Sequence, residues 1–174
     1  ELALVLLIEA SRGWKTMPIE VRTPLQTYVG ARLASPIILV PILRAGLGLC
    51  DGMSRIVPDA AVGHIGLYRD PKTLRPVSYY SRLPENIAEA QVLVLDPMLA
   101  TGHTACAATS MVKAQGAMNI QFICVLACPA GIAQLQSQHP DVPIVAAAVD
   151  PDLDQFGYIV PGLGDAGDRY FGTD

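Results

Sequence analysis

The sequence has 174 residues, of which 51% are hydrophobic and only 16% charged, and its formal net charge is −4. This length suits one domain over residues 1–174 that buries a core without disulfide or metal support. No apolar run approaches the roughly 20 residues of a membrane span, and no Lys/Arg cluster indicates nucleic acid binding. We therefore expect a soluble, cytoplasmic protein whose surplus apolar surface forms a homodimer or a larger homo-oligomer.

The N-terminal part begins with an apolar helix pattern over residues 1–11. No N-cap residue precedes Glu1, which indicates that the sequence begins inside this helix. Residues 19–22 favour a short edge strand. The stretch that opens at Pro24 has no clear helix or strand pattern.

An aliphatic run over residues 36–43 predicts a strand buried on both faces. It ends at Arg44, and a guanidinium removed from water there needs an anion beside it, unless the side chain reaches the surface. A helix is expected over residues 47–57, in which Gly48 and Gly52 allow another element to pack closely.

Residues 61–68 predict another strand, and residues 78–83 a strand that returns beside it as a hairpin. The connection contains Arg69, Lys72, Arg75 and two prolines, a composition typical of a mobile basic loop that closes over a polyanion. For Lys72 and Arg75 taken individually, an ordinary solvated loop is the better interpretation.

The most informative stretch follows the apolar residues 92–95. The strand is predicted to end at Asp96, and the small or hydroxyl-bearing residues within 100–104 lead into a helix over residues 105–114. Unpaired N–H groups at such a helix start favour a phosphate, and a carboxylate suits a ribose diol because it accepts hydrogen bonds from both hydroxyls. A P-loop is excluded because no lysine follows Gly102. The competing interpretation is a plain strand-to-helix turn with an N-cap threonine.

Further elements continue the alternation of strands and helices, with a strand over residues 120–127, a helix over 129–138 and a strand over 143–149. This alternation implies right-handed crossovers between parallel strands. The predicted fold class is therefore α/β, with a mostly parallel sheet flanked by helices. Arg44, Arg69 and Asp96 all lie at the carboxyl ends of predicted strands, the sheet edge where open α/β folds bind ligands.

The C-terminal residues 150–174 are rich in glycine and include the spacing Gly162-x-Gly164-x-x-Gly167. The spacing matches a dinucleotide-binding fingerprint, but the long helix, second strand and acidic residue of that unit do not follow it. Glycines at this density instead allow the backbone to approach a small ligand closely.

The cysteines and histidines do not indicate a metal centre. No C-x-x-C pair or histidine ligand spacing occurs, so we expect core thiols and no dedicated metal cage. The cysteines are Cys50, Cys106, Cys124 and Cys128, and the histidines are His64, His103 and His139.

Four segments carry a resemblance to a known family. They are Pro41-Ile-Leu-Arg-Ala-Gly-Leu-Gly48, Tyr68-Arg-Asp70, Asp96-Pro-Met-Leu-Ala-Thr-Gly102 and Tyr158-Ile-Val-Pro-Gly-Leu-Gly-Asp-Ala-Gly-Asp168. Each is weak alone, but their order and spacing across nearly the whole chain are highly specific. The set closely resembles the uracil phosphoribosyltransferase family, which differs from most type I phosphoribosyltransferases by its Asp-Pro at the start of the loop.

The resemblance implies transfer of 5-phosphoribose from 5-phosphoribosyl 1-pyrophosphate (PRPP) to uracil, giving UMP and diphosphate with Mg²⁺ carried by PRPP. It assigns Arg44 and Arg69 to the pyrophosphate, and Asp96, Arg69 and Asp165 are the implied catalytic residues, with Asp165 meeting PRPP or its metal. The other implied PRPP-binding residues are Pro97, Met98, Leu99, Ala100, Thr101, Gly102, His103 and Thr104. Uracil is assigned to a small C-terminal base-binding hood formed by Ile159, Gly164, Asp165 and Ala166, chiefly through backbone groups.

His103 departs from the family pattern, because many members carry glycine there. A phosphate contact and an outward-pointing bystander are equally supported interpretations of this residue. The resemblance also implies a leading segment before Glu1 that contributes to a dimer interface. The alternatives are a nucleotide-sensing RNA-binding regulator of the same fold, which the pI of about 5.3 disfavours, and a type I enzyme for another base.

Overall fold

The structure is a computed structural model that describes residues 1–69 and 76–173. Its helices are α1 (Leu2–Ser11), α2 (Leu47–Ser54), α3 (His103–Ala114), α4 (Pro129–Gln138) and α5 (Ala166–Phe171), and a 3₁₀ helix covers Glu85–Glu89. Its strands are β1 (Thr16–Arg22), β2 (Thr27–Leu33), β3 (Ile37–Leu43), β4 (Ala61–Val62), β5 (His64–Arg69), β6 (Pro76–Arg82), β7 (Gln91–Leu95), β8 (Met98–Leu99), β9 (Asn119–Ala127), β10 (Ile144–Val149), β11 (Asp152–Leu153) and β12 (Ile159–Val160).

The central sheet has the strand order β10-β9-β7-β3-β5-β6. Neighbours from β10 to β5 are parallel, β6 is antiparallel to β5, and the short strands β4 and β8 pair with β3 and β9. The predicted mostly parallel sheet and the predicted hairpin are therefore confirmed. Because parallel strands point the same way, the loops that follow β3 and β7 meet at one edge of the sheet.

Successive residues of the central strands face opposite layers of the core. On β3, Ile38 and Val40 pack with residues of α3 and α4, whereas Ile37 and Leu39 pack with α1 and α2. β7 alternates in the same way, and its last four residues are buried. Full burial of one such side chain contributes about 1.5–3 kcal/mol. Burial on both faces therefore explains why each strand is an uninterrupted aliphatic run.

Local signals set the ends of the helices near this edge. Pro129 occupies the first turn of α4, where its missing N–H costs no hydrogen bond. Gly116 has a φ of 93° and ends α3 with the left-handed conformation that favours glycine. α3 begins at His103, earlier than the predicted Ala105, because Gly102 already acts as its N-cap residue.

The structure corrects several predicted boundaries. The strand predicted at residues 19–22 is present but begins earlier, as part of β1, which pairs with β2 in a separate two-stranded antiparallel sheet. The Thr23 hydroxyl closes this hairpin by accepting two N–H groups of the turn. A turn of this kind is harder to predict from the sequence than a turn that contains glycine. The predicted strand at 61–68 divides at Gly63, where an added Cβ would lie 2.8 Å from the Leu83 side chain. α2 ends at Ser54 rather than at residue 57.

The predicted close packing at the glycines of α2 is confirmed. An added Cβ at Gly52 would lie 2.6 Å from the Cβ of Ala3 in α1, and one at Gly48 would lie 2.9 Å from the ring of Tyr170 in α5. Both α1 and α5 therefore pack closely against glycines of α2. The four cysteines are free and buried, as predicted.

The C-terminal segment, residues 150–173, leaves β10 at the carboxyl edge of the sheet. It forms the β11–β12 ribbon and α5, and it covers a small apolar cluster that includes Ile159, Leu126 and Cys128. This places the glycine-rich residues directly over the end of β9. In the described part of the chain, no helix is long and apolar enough to cross a membrane.

Candidate active site

The β7–α3 loop, residues 96–102, is fixed by main-chain hydrogen bonds to the neighbouring strand. The carbonyl of Pro97 accepts the N–H groups of Val125 and Leu126, each at 2.9 Å, and β8 pairs in parallel with the end of β9. The loop is therefore an extension of the sheet edge, and its path is set before any ligand binds.

Cys128 and α4 fix the second half of the same loop. The N–H of Cys128 donates to the carbonyl of Leu99 at 3.1 Å, and its buried thiol donates to the carbonyl of Ala100 at 2.9 Å. Gly131 lies so close to both carbonyls that a Cβ there would overlap them. Gly102 has a φ of 81°, and an added Cβ would lie 2.8 Å from the Gly131 carbonyl oxygen. Both positions therefore require glycine.

Asp96 is the first residue of the loop; the residue as a whole is half-buried, and its carboxylate is removed from water. Burial raises the pKa of Asp96 to about 7; the N–H of Met98, which donates to Oδ1 at 3.3 Å, lowers it, and the charge of Asp165 raises it further. Burial, aided by the charge of Asp96, likewise raises the pKa of the Cys124 thiol to about 12. Without a ligand, Asp96 therefore keeps a proton close to neutral pH, and a cation or a hydroxyl donor would favour its ionised form.

Arg44 follows β3 directly and contacts α5. Its Nη2 donates to Oδ1 of Asp168 at 3.1 Å, and its guanidinium carbon lies 5.6 Å from the centre of the Phe171 ring. The side chain is 55% exposed, so it reaches the surface and also has an anion beside it. Because a guanidinium carries several N–H donors, the Asp168 contact leaves others free for a second anion.

Aspartates shape the C-terminal segment by accepting hydrogen bonds from its backbone. Oδ2 of Asp150 accepts the N–H of Gly162 at 2.9 Å, and Oδ1 of Asp154 accepts the N–H of Tyr158 at 2.8 Å. Oδ1 of Asp165 accepts an N–H of the first turn of α5 at 3.0 Å and so caps that helix. These carboxylates are half-buried or exposed, and side chains rather than sheet pairing therefore determine much of the path of this segment.

Two adjoining cavities lie where the β7–α3 loop faces the C-terminal segment. The first has a volume of about 220 Å³ and is lined by both, including Met98, Ala100, Gly157, Tyr158, Ile159, Gly164 and Ala166. The second has a volume of about 390 Å³ and is lined by Ile42, Leu43, Arg44, Leu67, Tyr68 and Thr104. Ala45, Asp96, Asp165 and Gly167 line both cavities. Two carboxylates therefore stand at the junction of the cavities.

The structure brings most of the predicted site residues together. All of the residues assigned to uracil, Ile159, Gly164, Asp165 and Ala166, line the first cavity. Of those assigned to PRPP, Arg44, Asp96, Thr104 and Asp165 line the second cavity, and Met98 and Ala100 line the first.

Other residues of the β7–α3 loop that were predicted to bind PRPP line neither of these cavities. The side chain of Leu99 belongs to the core, and Pro97 lines an apolar cavity among α1, α2 and α5. His103 is exposed, with Nδ1 at 3.2 Å from Oγ1 of Thr101, a position that leaves both interpretations of this imidazole open. Thr101 is half-buried beside it.

The predicted basic loop falls largely outside the described residues. Lys72 and Arg75 lie in the range 70–75, which the structure does not describe, and the predicted contacts of the Arg69 side chain also lie outside it. The backbone of Arg69 ends β5. The predicted contribution of these residues to the site therefore stays a prediction.

Several residues of the site were not predicted from the sequence. Cys128 fixes the β7–α3 loop, Asp150 and Asp154 fix the C-terminal segment, and Asp168 with Phe171 contacts Arg44. Asp168 belongs to a segment that carries the family resemblance, which is the one signal that marked it. Cys128, Asp150 and Asp154 act across 4 to 28 positions of sequence, and Phe171 lies still farther from Arg44 in the chain. Spacing alone does not reveal such contacts.

The carboxylates at the cavity junction have the chemistry of ligands for a hard divalent cation. Among the described residues, no group of three or more His, Cys, Asp and Glu side chains could hold an ion by itself. Asp96 and Asp165 supply oxygen donors, however, and the charge of Asp165 adds to the burial that raises the pKa of Asp96. Because Mg²⁺ is usually bound by few carboxylates together with substrate phosphates, these residues fit a magnesium ion carried by a polyphosphate substrate.

Solved structures with this fold identify its class. The chain superposes on a hypoxanthine-guanine phosphoribosyltransferase from Bacillus anthracis str. 'Ames Ancestor' with a TM-score of 0.57 at 11% identity, over 87% of this chain and 76% of that one. At that identity the likeness concerns the fold alone. The AQ2163 protein from Aquifex aeolicus gives a TM-score of 0.94 at 38% identity, over 100% of this chain and 84% of that one. The fold is thus that of the type I phosphoribosyltransferases.

Sequence relatives define the family within that class. A family model for uracil phosphoribosyltransferase matches residues 1–173. The uracil phosphoribosyltransferase of Dictyoglomus turgidum is 53% identical over 174 residues, which cover 99% of this chain and 84% of that protein. The chain belongs to the uracil phosphoribosyltransferase family, and the predicted family is confirmed.

Proposed function

We propose that the protein transfers 5-phosphoribose from PRPP to uracil, giving UMP and diphosphate. The observation that carries this proposal is the pair of adjoining cavities, one lined by the segment assigned to the base and the other by Arg44 and the start of α3. The base nitrogen must meet the anomeric carbon while the diphosphate leaves, so the two ligands have to lie side by side. Holding them in that geometry lowers the entropic part of the barrier.

The β7–α3 loop binds the ribose 5-phosphate in this proposal. Hydroxyls of Thr101 and Thr104 and the free N–H groups at the start of α3 donate to the phosphate oxygens. The carboxylate of Asp96 accepts hydrogen bonds from the ribose hydroxyls. Because the bonds to β9 and Cys128 already fix this loop, little backbone freedom is lost when PRPP binds.

Arg44, together with Arg69 at the end of β5, binds the pyrophosphate. Breaking the anomeric bond creates an oxocarbenium-like carbon and releases a highly charged leaving group, so catalysis is positioning plus charge neutralisation. The reaction needs no covalent nucleophile. Mg²⁺ held at Asp165, and next to Asp96, would neutralise part of the charge of the diphosphate when it is bound with PRPP.

Uracil is read by main-chain groups of Ile159, Gly164 and Ala166. A backbone carbonyl only accepts and a backbone N–H only donates, so the conformation of the segment fixes the hydrogen-bonding pattern. Uracil offers an N3–H donor beside an O4 acceptor, and cytosine offers the reverse. Cytosine in the same pose would leave unmatched polar pairs in the cavity, and mismatches of this kind lower kcat/KM by ~10⁴-fold.

The test is an assay of diphosphate release and nucleotide formation from PRPP with uracil, cytosine, orotate and hypoxanthine. We expect UMP from uracil and at most trace product from the other bases. Use of cytosine within about tenfold of uracil would contradict main-chain reading of the base. Efficient use of orotate or hypoxanthine would assign the protein to another base.

We further propose that the protein acts in the cytoplasm as a homodimer or a larger homo-oligomer. Apolar side chains stand in water on the first helix and on the β1–β2 hairpin, where Val5, Ile8 and Val29 are 62%, 61% and 74% exposed. Large apolar side chains exposed at this level favour association with another chain. Light scattering that shows a monomer at micromolar concentration would contradict this proposal.

A further inference from the structure

Arg44 is restrained on two sides by the same short helix. The carboxylate of Asp168 accepts its Nη2 at 3.1 Å, and the ring of Phe171, one turn further along α5, lies 5.6 Å from the guanidinium carbon. The hydroxyl of Thr173 donates to the same Oδ1 of Asp168 at 2.7 Å. The carboxylate that contacts Arg44 is thus itself held in place by a second hydrogen bond.

The start of this helix belongs to the binding site. Asp165 caps α5 by accepting the N–H of Asp168 at 3.0 Å, and Asp165 and Gly167 line both cavities. The backbone of Asp168 is therefore hydrogen-bonded directly to Asp165, at the junction of the base cavity and the PRPP cavity. Arg44 and Asp168 are separated by 124 positions of sequence, so only the folded chain brings them together.

A stabilising role does not explain this contact. The side chains of Arg44 and Asp168 are 55% and 37% exposed, and ion pairs in water contribute little to the free energy of unfolding. An exposed arginine has many rotamers, however, and must give up that freedom to bind an anion. A carboxylate on one edge and an aromatic ring on its face restrict the guanidinium in advance and leave its remaining N–H groups free.

We propose that Asp168 and Phe171 are positioning residues that orient Arg44 toward the pyrophosphate of PRPP. The inference rests on the proposed function, because it takes Arg44 as a pyrophosphate ligand. Asp168 and Phe171 touch neither substrate; they act through Arg44. α5 thereby connects the segment that binds the base to the cation that binds the leaving group.

The test compares PRPP and uracil in Asp168→Ala, Asp168→Asn and Phe171→Leu. Asp168→Ala should raise the KM for PRPP by about tenfold and leave the KM for uracil within about twofold, because only the preorganisation of Arg44 is lost. Asp168→Asn keeps an oxygen acceptor and should recover most of the loss. Phe171→Leu keeps apolar bulk without a π face and should raise the KM for PRPP by about threefold.

Tyr170→Phe is the matched control on the same helix. It removes the hydrogen bond from the Tyr170 hydroxyl to Asp51, at 3.1 Å, and retains the ring that packs on Gly48. We expect unchanged kinetics for this variant, and thermal unfolding of all variants establishes that α5 remains folded. Equal changes in both KM values for Asp168→Ala, or an Asn variant as impaired as the Ala variant, would overturn the positioning role.

Binding of PRPP with Mg²⁺, measured by calorimetry without a base, separates this inference from the proposed function. Asp168→Ala should weaken PRPP binding by about tenfold in this measurement as well. Unchanged or tighter binding would overturn the inference, and tighter binding would mean that Asp168 competes with pyrophosphate for Arg44. A parent protein that binds PRPP but forms no UMP would refute the proposed function, and this comparison of variants would still decide the role of Asp168.

Discussion

The β7–α3 loop and the C-terminal segment face each other across the site, and they are built in different ways. The loop is fixed by main-chain bonds to β9, by the thiol of Cys128 and by glycines packed against backbone. The C-terminal segment is fixed largely by the carboxylates of Asp150, Asp154 and Asp165, which accept its N–H groups at or near the surface.

The difference follows from what each side is proposed to bind. A phosphate with several charged oxygens needs many N–H groups fixed in one concave arrangement, which a loop integrated into the sheet provides. A neutral base needs few hydrogen bonds but close approach of the backbone, which a glycine-rich segment provides. Rigidity therefore comes from the core on the PRPP side and from individual side chains on the base side.

The largest expected effect is at the junction of the two regions. Asp96→Asn should lower kcat/KM for PRPP by about 100-fold, or roughly 2.7 kcal/mol, because an amide offers one acceptor oxygen and no charge to the ribose diol. Steady-state kinetics at saturating uracil provide the measurement. Near-parental kinetics with PRPP would show that the carboxylate does not bind the ribose.

The same substitution should stabilise the protein without substrate. The folded protein keeps the Asp96 proton up to a pKa of about 7, whereas the ordinary value is 3.8. The folded state thus binds more protons between these values, so the contribution of Asp96 to the free energy of unfolding falls as pH rises from about 4 to about 7. Above pH 7 this lost contribution to the free energy of unfolding is not regained.

Asp96→Asn removes this dependence. Urea unfolding should give a variant more stable than the parent by up to about 4 kcal/mol at pH 8, the free energy that corresponds to a pKa raised from 3.8 to about 7, with the difference disappearing near pH 4. The comparison of variant with parent cancels the other titrating groups. A constant difference across this pH range would mean that the raised pKa of Asp96 has another origin.

The contrast between the two regions also explains what the sequence could predict. Aliphatic strands with both faces buried, such as β3 and β7, are visible as uninterrupted runs, and Asp96 with the following hydroxyl residues marks a phosphate site directly. The hairpin of β1 and β2 was only partly predicted, because Thr23 closes it with hydroxyl contacts in place of a glycine turn. Its edge pairing also leaves most of its residues exposed.

The C-terminal segment could be assigned through the family resemblance but not through its pattern. Its conformation depends on carboxylates that bond backbone groups elsewhere in the chain, as Asp150 does to Gly162 across 12 positions. The pairing of Arg44 with Asp168 is likewise a tertiary contact with no local signature. Physical patterns in a sequence report burial and local capping, whereas contacts of this kind depend on the completed fold.

Asp150 provides a test of the C-terminal segment, whose path depends on side-chain carboxylates. Asp150→Ala removes the acceptor of the Gly162 N–H and should raise the KM for uracil by about tenfold, or 1.4 kcal/mol, while the KM for PRPP changes by less than about twofold. Asp150→Asn retains an acceptor oxygen and should restore most of the affinity. Asp152→Ala, an exposed position on β11, is the control for charge. Equal losses for PRPP and uracil would show that Asp150 stabilises the whole site.

Gly164→Ala has the smallest expected effect, because it disfavours the backbone conformation without a steric clash. Gly164 has a φ of 75°, and an added Cβ would meet nothing within 4 Å. Alanine there is disfavoured by its conformation alone, by about 1 kcal/mol. We expect Gly164→Ala to lower kcat/KM for uracil by about fivefold with PRPP binding unchanged.

Two further variants sharpen this comparison. Gly102→Ala should instead impair PRPP binding, because the added Cβ would be strained and would also contact the Gly131 carbonyl. Ile159→Val keeps the buried apolar contact and should leave the preference for uracil over cytosine unchanged. If Ile159→Val alters that preference more than Gly164→Ala does, then side chains rather than main-chain groups read the base.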